Sequence, residues 1–258
     1  MKEAFIFTFS LIASRPVILV PAMIAIFFTT IVVHSVLFAA FIYLFGSVTT
    51  LQTDLVLLEL VISVLVGIFL HAFYVGVAKH HSSGKELMGK AATEVNVHKG
   101  QVGIYGVLIH SLNGIVVAAL VASAFLAYYH YGLGSAIGAS LAAVAVLMVL
   151  LLIFLSAIFF EVNVAIMVEN LRDLKAVSRS IGMAKGNMQA LVAAVVLTGI
   201  LYLAVYGSIN AFSRHYTGVW QAAFAYLSII PFAIVTAIYD LMSPALYYKQ
   251  IILKRRKK

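Results

Sequence analysis

Four ionisable side chains, His71, His110, Glu161 and Asp240, stand inside otherwise apolar stretches of the chain. A charged group near the centre of a bilayer costs about 2.5–3.5 kcal/mol on insertion scales, so each needs a partner or a function. An imidazole beside a carboxylate can satisfy both groups by hydrogen bonding and pin helices together. The same pairing can relay protons, because histidine exchanges them near neutral pH. Two imidazoles and two carboxylates could instead complete the shell of a metal ion. A structural network, a relay or solute path, and a metal site are therefore the three readings of this set. No H-E-x-x-H pair or other local ligand spacing singles out the metal. Nucleophile-elbow, paired-glutamate and aspartyl G-x-G-D patterns are missing too, so no catalytic residue is assigned and no enzyme is expected. With no cysteine in the chain, disulfides, thiolate metal sites and iron–sulfur clusters are excluded.

The elements that must position these groups are long apolar helices. Of 258 residues, 64% are hydrophobic and 10% charged, with a mean hydropathy of +1.09, far from the soluble balance. Six stretches are long enough to cross a bilayer, roughly 16–45, 55–78, 103–129, 137–168, 189–212 and 219–248. Within them Glu59, Ser63, Gly67 and His71 follow at four-residue spacing, as do Gly106, His110 and Gly114, with Asn113 adjacent. Glu161, Ala165 and Glu169 continue the pattern on the fourth span, and Thr236, Asp240, Ser243 and Tyr247 on the sixth. Such small and polar faces are expected to point into the bundle. The four ionisable groups lie at one depth, about 11 Å from the cytoplasmic ends. Pro244, four residues after Asp240, frees that residue's carbonyl, and Pro231 is expected to kink the same helix. Thr198, Tyr202 and Tyr206 share a face of the fifth span. His34 is expected to pair with Glu59, and Asn163 sits about 200° around the helix from Glu161.

Charge sets the orientation. Of seventeen Lys and Arg residues, all but Arg214 fall on one side of these spans, which places both termini and the two longer loops in the cytoplasm. The net charge of +8 then belongs to the inner face of a cytoplasmic (plasma) membrane and not to nucleic acid. Residues 1–15, MKEAFIFTFSLIASR, lack a signal-peptide cleavage pattern. They read as an interfacial helix carrying Phe5, Phe7, Phe9 and Leu11, and 249–258 as a basic tail. The loops themselves have helical periodicity. Leu87, Met88, Ala91 and Val95 make one apolar stripe, ending in HKGQ at 98–101; Leu174, Val177, Ile181 and Ala184 make another, ending in AKGN at 184–187. Opposite the second stripe, Arg172, Lys175 and Arg179 form a basic stripe suited to anionic lipid. The expected fold is all-α: one polytopic domain, 1–258, of six transmembrane helices with two cytoplasmic interfacial elbow helices. A weak internal parallel repeat matches spans two and three with four and five.

The run E-N-x5-A-x3-S-x4-K-G-N, here Glu169, Asn170, Ala176, Ser180, Lys185, Gly186 and Asn187, resembles the membrane domain attached to some glycerophosphoryl diester phosphodiesterases and its stand-alone relatives. SRPVILVPAMI with Pro16 and Pro21, and SPALYYKQIILKRR with Pro244, Tyr247 and Tyr248, are similar to that family's entry to the first span and exit from the last. Lys249 and Gln250 stand where the family often has an acidic residue. The resemblance implies a six-helix bundle with interfacial elbows and no phosphodiesterase activity, because the catalytic barrel of those enzymes is a separate soluble part. The expected role is a non-enzymatic membrane component that binds lipid headgroups or a partner protein, without cofactor. The alternatives are a transporter of protons, ions or a small solute, and an intramembrane metal site.

Overall fold

A computed structural model describes residues 2–33, 36, 52–215 and 227–256. His34, Thr49 and the side chains of Thr30, Arg214 and the tail 249–258 lie outside the described residues. All described elements are helical: α1 Lys2–Ser14, α2 Val20–Phe27, α3 Gln52–Lys79, α4 Leu87–Phe125, α5 Ala136–Phe159, α6 Val162–Glu169, α7 Leu174–His215 and α8 Ile229–Arg256. Short 3-10 turns at Pro16–Leu19 and Gly84–Glu86 lead into α2 and α4, and π turns at Phe28–Val33 and Leu126–His130 follow them. Among the described residues, five helices or helix runs are long and apolar enough to cross a membrane, or six if the bent pair Lys2–Ser14 and Pro16–Phe27 counts as one span.

That pair is bent by 102°, and the cause is local. Arg15 precedes Pro16 and takes φ −143°, ψ 70°, since the proline ring disfavours the α conformation in the residue before it. Beyond the bend, α1 turns Ala4, Thr8 and Leu11 inward against the bundle and α8. The aromatic face expected at the membrane boundary is thereby divided: Phe5 and Phe7 pack on the core, and Phe9 is exposed.

The two loop helices differ from each other. The HKGQ step makes no break, and α4 runs unbroken for 39 residues, about 58 Å at 1.5 Å per residue. An apolar bilayer core is about 30 Å thick, so α4 is longer than a single crossing requires. The second loop is interrupted twice. Asn170 ends α6 in the left-handed region at φ 53°, a conformation that asparagine tolerates better than most residues. Asn187 breaks α7 with φ −143°, ψ 21° and bonds the Met183 carbonyl through its own amide. The stripe facing the bundle is Ala176, Ser180, Met183 and Ala184, while Leu174 is exposed.

A third break was not legible in the apolar run. The fourth span, the run Ala136–Glu169, is interrupted at Phe160 and Glu161, where φ −105°, ψ 8° at Glu161 separates α5 from α6. Carbonyls freed at a helix end need donors, and two serines from other helices supply them. Ser180 Oγ donates to Ile158 O at 2.6 Å and Ser243 Oγ to Phe160 O at 2.8 Å. Helices α3 and α4 meet without a gap: a Cβ on Gly76 would lie 2.9 Å from Ala91 Cα. Pro231 falls in the first turn of α8, where the missing N–H would have no helical partner. The helical residue Leu227 is separated from α8 by a turn at Ser228, three residues before Pro231, and α8 continues through Pro244.

Candidate functional site

Where α3, α4, α8 and the α5–α6 break converge, they line a half-open cavity of about 240 Å³. Helix α3 contributes Gly67, Leu70 and His71, and α4 contributes Gly106, Ile109, His110 and Asn113. Ser156, Phe159 and Phe160 come from the end of α5, Asn163 from α6, and Thr236, Tyr239 and Asp240 from α8. The glycines at 67 and 106 leave the space that side chains would fill, and the four-residue spacing on α3 and α8 turns His71 and Asp240 toward the same interior.

His71 Nδ1 and Asp240 Oδ1 are 2.9 Å apart, with the His71 side chain 14% and the Asp240 side chain 7% exposed. His110 spends its Nδ1 proton on the carbonyl of Gly106, one turn back, at 2.8 Å, and lies close enough to Asp240 to act on its charge. Glu161 is wholly buried but is not among the cavity residues; the charge it feels is that of Arg179. Three of the four intramembrane groups thus share a cavity wall, and the fourth sits at the helix break facing the second loop. Asn163, on the other side of the helix from Glu161, is the residue that enters the cavity. On α7, Tyr202 bonds Thr236, Thr198 bonds the Ala194 carbonyl, and Tyr206 is exposed; none of the three lines the cavity.

The basic stripe is separated into three environments. Arg179 is bound to Glu169 through Nη2 at 2.7 Å and Nε at 3.2 Å, with its guanidinium 6.0 Å from the ring centre of Tyr247. Lys175 lines an open cleft with Glu169, Ser178 and Arg179. Arg172 lies in the turn before α7, near His98 of the first loop helix.

That neighbourhood holds a cluster that spacing alone did not reveal. Glu94 accepts from Lys79 at 2.9 Å and contacts His80 at 3.1 Å and His98 at 3.6 Å, while Lys79 also donates to Met167 O at 2.9 Å. The one signal in the sequence is the four-residue step from Glu94 to His98. Burial raises the Glu94 carboxyl, but Lys79 and His80 outweigh it and hold it below the usual glutamate range. Burial pushes His98 down; Glu94 opposes this, and Lys79 and Arg172 add to it.

Among the described residues, no three His, Asp or Glu side chains gather where they could hold a metal ion. The cavity can instead bind a small polar species or exchange a proton at His71 and Asp240. The chain matches no protein-family model, no curated protein and no solved structure.

Proposed function

We propose that this protein passes protons across the cytoplasmic membrane through the cavity at His71 and Asp240, alone or coupled to a small polar solute that fills it. The observation that carries the reading is the His71–Asp240 pair at 2.9 Å in the wall of a cavity bordered by a broken span. A titratable pair in a spanning bundle is suited to proton exchange. Interrupted helices beside a buried polar site are a recurrent device of transporters. In this reading six spans cross the membrane, both termini face the cytoplasm, and the second loop helix, broken from its span at Asn187, lies on the inner surface. Contact of the basic stripe with anionic lipid has less to rest on, because Glu169 already neutralises Arg179.

The test is proton uptake by proteoliposomes under an imposed membrane potential, read with an entrapped pH dye. It is run in buffer alone and with small amines, polyols and amino acids on both sides. Uptake faster than in protein-free vesicles, reduced at least tenfold by Asp240→Asn and unchanged by Ser140→Ala on the exposed face of α5, is the expected result. No uptake in any medium, or full uptake by Asp240→Asn, overturns the proposal.

A further inference from the structure

The hydrogen-bonding inventory of the cavity says what kind of solute would fill it. Gly106 O can only accept, so His110 must donate through Nδ1. Asp240, when ionised, can only accept, and His71 then donates through Nδ1 as well. In each neutral ring the single N–H is thereby used and Nε2 keeps its lone pair. Among the described residues neither Nε2 has a hydrogen-bond partner. Two more acceptors are left over: the Oδ1 atoms of Asn113 and Asn163 are buried with no partner, and Asn163 is only 9% exposed. A buried acceptor without a donor is destabilising, so two in one cavity wall mark a place where a donor is missing.

Charge points the same way. Among the described residues, Asp240 is the only Asp or Glu that lines the cavity, and no Lys or Arg lines it. A carboxylate buried beside neutral imidazoles lacks a counter-charge, and buried charges are paired. A solute that brought both a positive charge and several N–H donors would meet both requirements. The hydroxyls of Ser156 and Tyr239 can turn to accept from it. The volume, about 240 Å³, exceeds the roughly 150 Å³ cavity that holds benzene, so a small alkylammonium fits.

We propose that the cavity between α3, α4, α8 and the α5–α6 break is a binding site for a small protonated amine. In it Asp240 is the counter-ion, and Asn113, Asn163 and the free Nε2 atoms of His71 and His110 accept the N–H groups. The assignment rests on the transport reading above and names its solute, and the two fail separately. The test is equilibrium binding of radiolabelled methylammonium to the full chain in nanodiscs, at mildly alkaline pH where imidazoles are neutral. Saturable binding at one site per chain is expected. Ammonium and ethylammonium should compete, whereas tetramethylammonium, which has the charge but no N–H, should not.

Asn163→Leu and Asp240→Asn should each weaken binding at least tenfold, and Asn113→Leu provides a third measurement should either of these fail to fold. Absence of saturable binding, equal competition by tetramethylammonium, or wild-type affinity in the folded variants overturns the amine assignment. Proton flux without amine binding overturns the solute and leaves transport standing. Binding without flux in any medium overturns transport and supports the site.

Discussion

Ser243 on α8 donates a buried hydrogen bond of 2.8 Å to the carbonyl of Phe160, the residue that caps the C-terminal end of α5. Ser180 on α7 does the same for Ile158 at 2.6 Å. Together they satisfy carbonyls that the interruption released, in a region where no lipid can do so. Ser243→Ala or Ser180→Ala should each lower stability by about 1–3 kcal/mol, the cost of an orphaned buried acceptor. Thermal unfolding in detergent checks this; an unchanged midpoint in both variants would show that the break needs no external donor.

Gly76 lets α3 pack directly on the backbone of Ala91 in α4. Gly76→Ala places a Cβ 2.9 Å from Ala91 Cα, and backbone cannot move aside as a side-chain tip can. A loss of about 1–3 kcal/mol is expected, as for other overpacked cores. Gly89→Ala, whose Cβ meets nothing within 4 Å, is the control in the same stability measurement.

The cluster around Glu94 makes the cytoplasmic ends of α3 and α4 sensitive to acid. Both Glu94 and His98 have folded-state pKa values below their ordinary ones. Such a group stabilises the fold above its unfolded pKa, and the contribution is lost as pH falls through the folded value. For His98 the loss begins below about 6.5, and for Glu94 below about 4.3. After correction for the slower intrinsic exchange at lower pH, protection at residues 79–98 should therefore fall between pH 7.5 and 5.5, and His98→Gln should remove that step. A variant with the same pH profile as the wild type would assign the change elsewhere.

Orientation can be read cleanly, because the chain has no native cysteine. A single Ser83→Cys variant should react with a membrane-impermeant maleimide only from the cytoplasmic side. Leu133→Cys, in the exposed turn between α4 and α5, should react only from the outside. The reverse pattern would invert the topology, and labelling of both from one side would remove a span.

The all-helical class and the apolar helices were legible in the sequence because they follow from local properties: run length, hydropathy and four-residue spacing. The same spacing placed His71 and Asp240 on inward faces. Asn170 as a helix stop was legible in the same way, since asparagine tolerates the left-handed conformation its position requires. The break at Phe160 and Glu161 was hidden, because an apolar run reads as continuous whether or not other helices accept its freed carbonyls. Its cause lies in Ser180 and Ser243 on α7 and α8. Long-range pairing also decided the fate of the charges. Arg179, read as a lipid contact, is held by Glu169, and Glu161, read as part of the layer, is replaced at the cavity by Asn163. The sequence alone determined that this chain is helical, that its helices are long and apolar enough to cross a membrane, and which of their faces are polar. Only the tertiary structure decided which polar groups meet, because their partners lie on different helices and no local spacing encodes how those helices are rotated against one another.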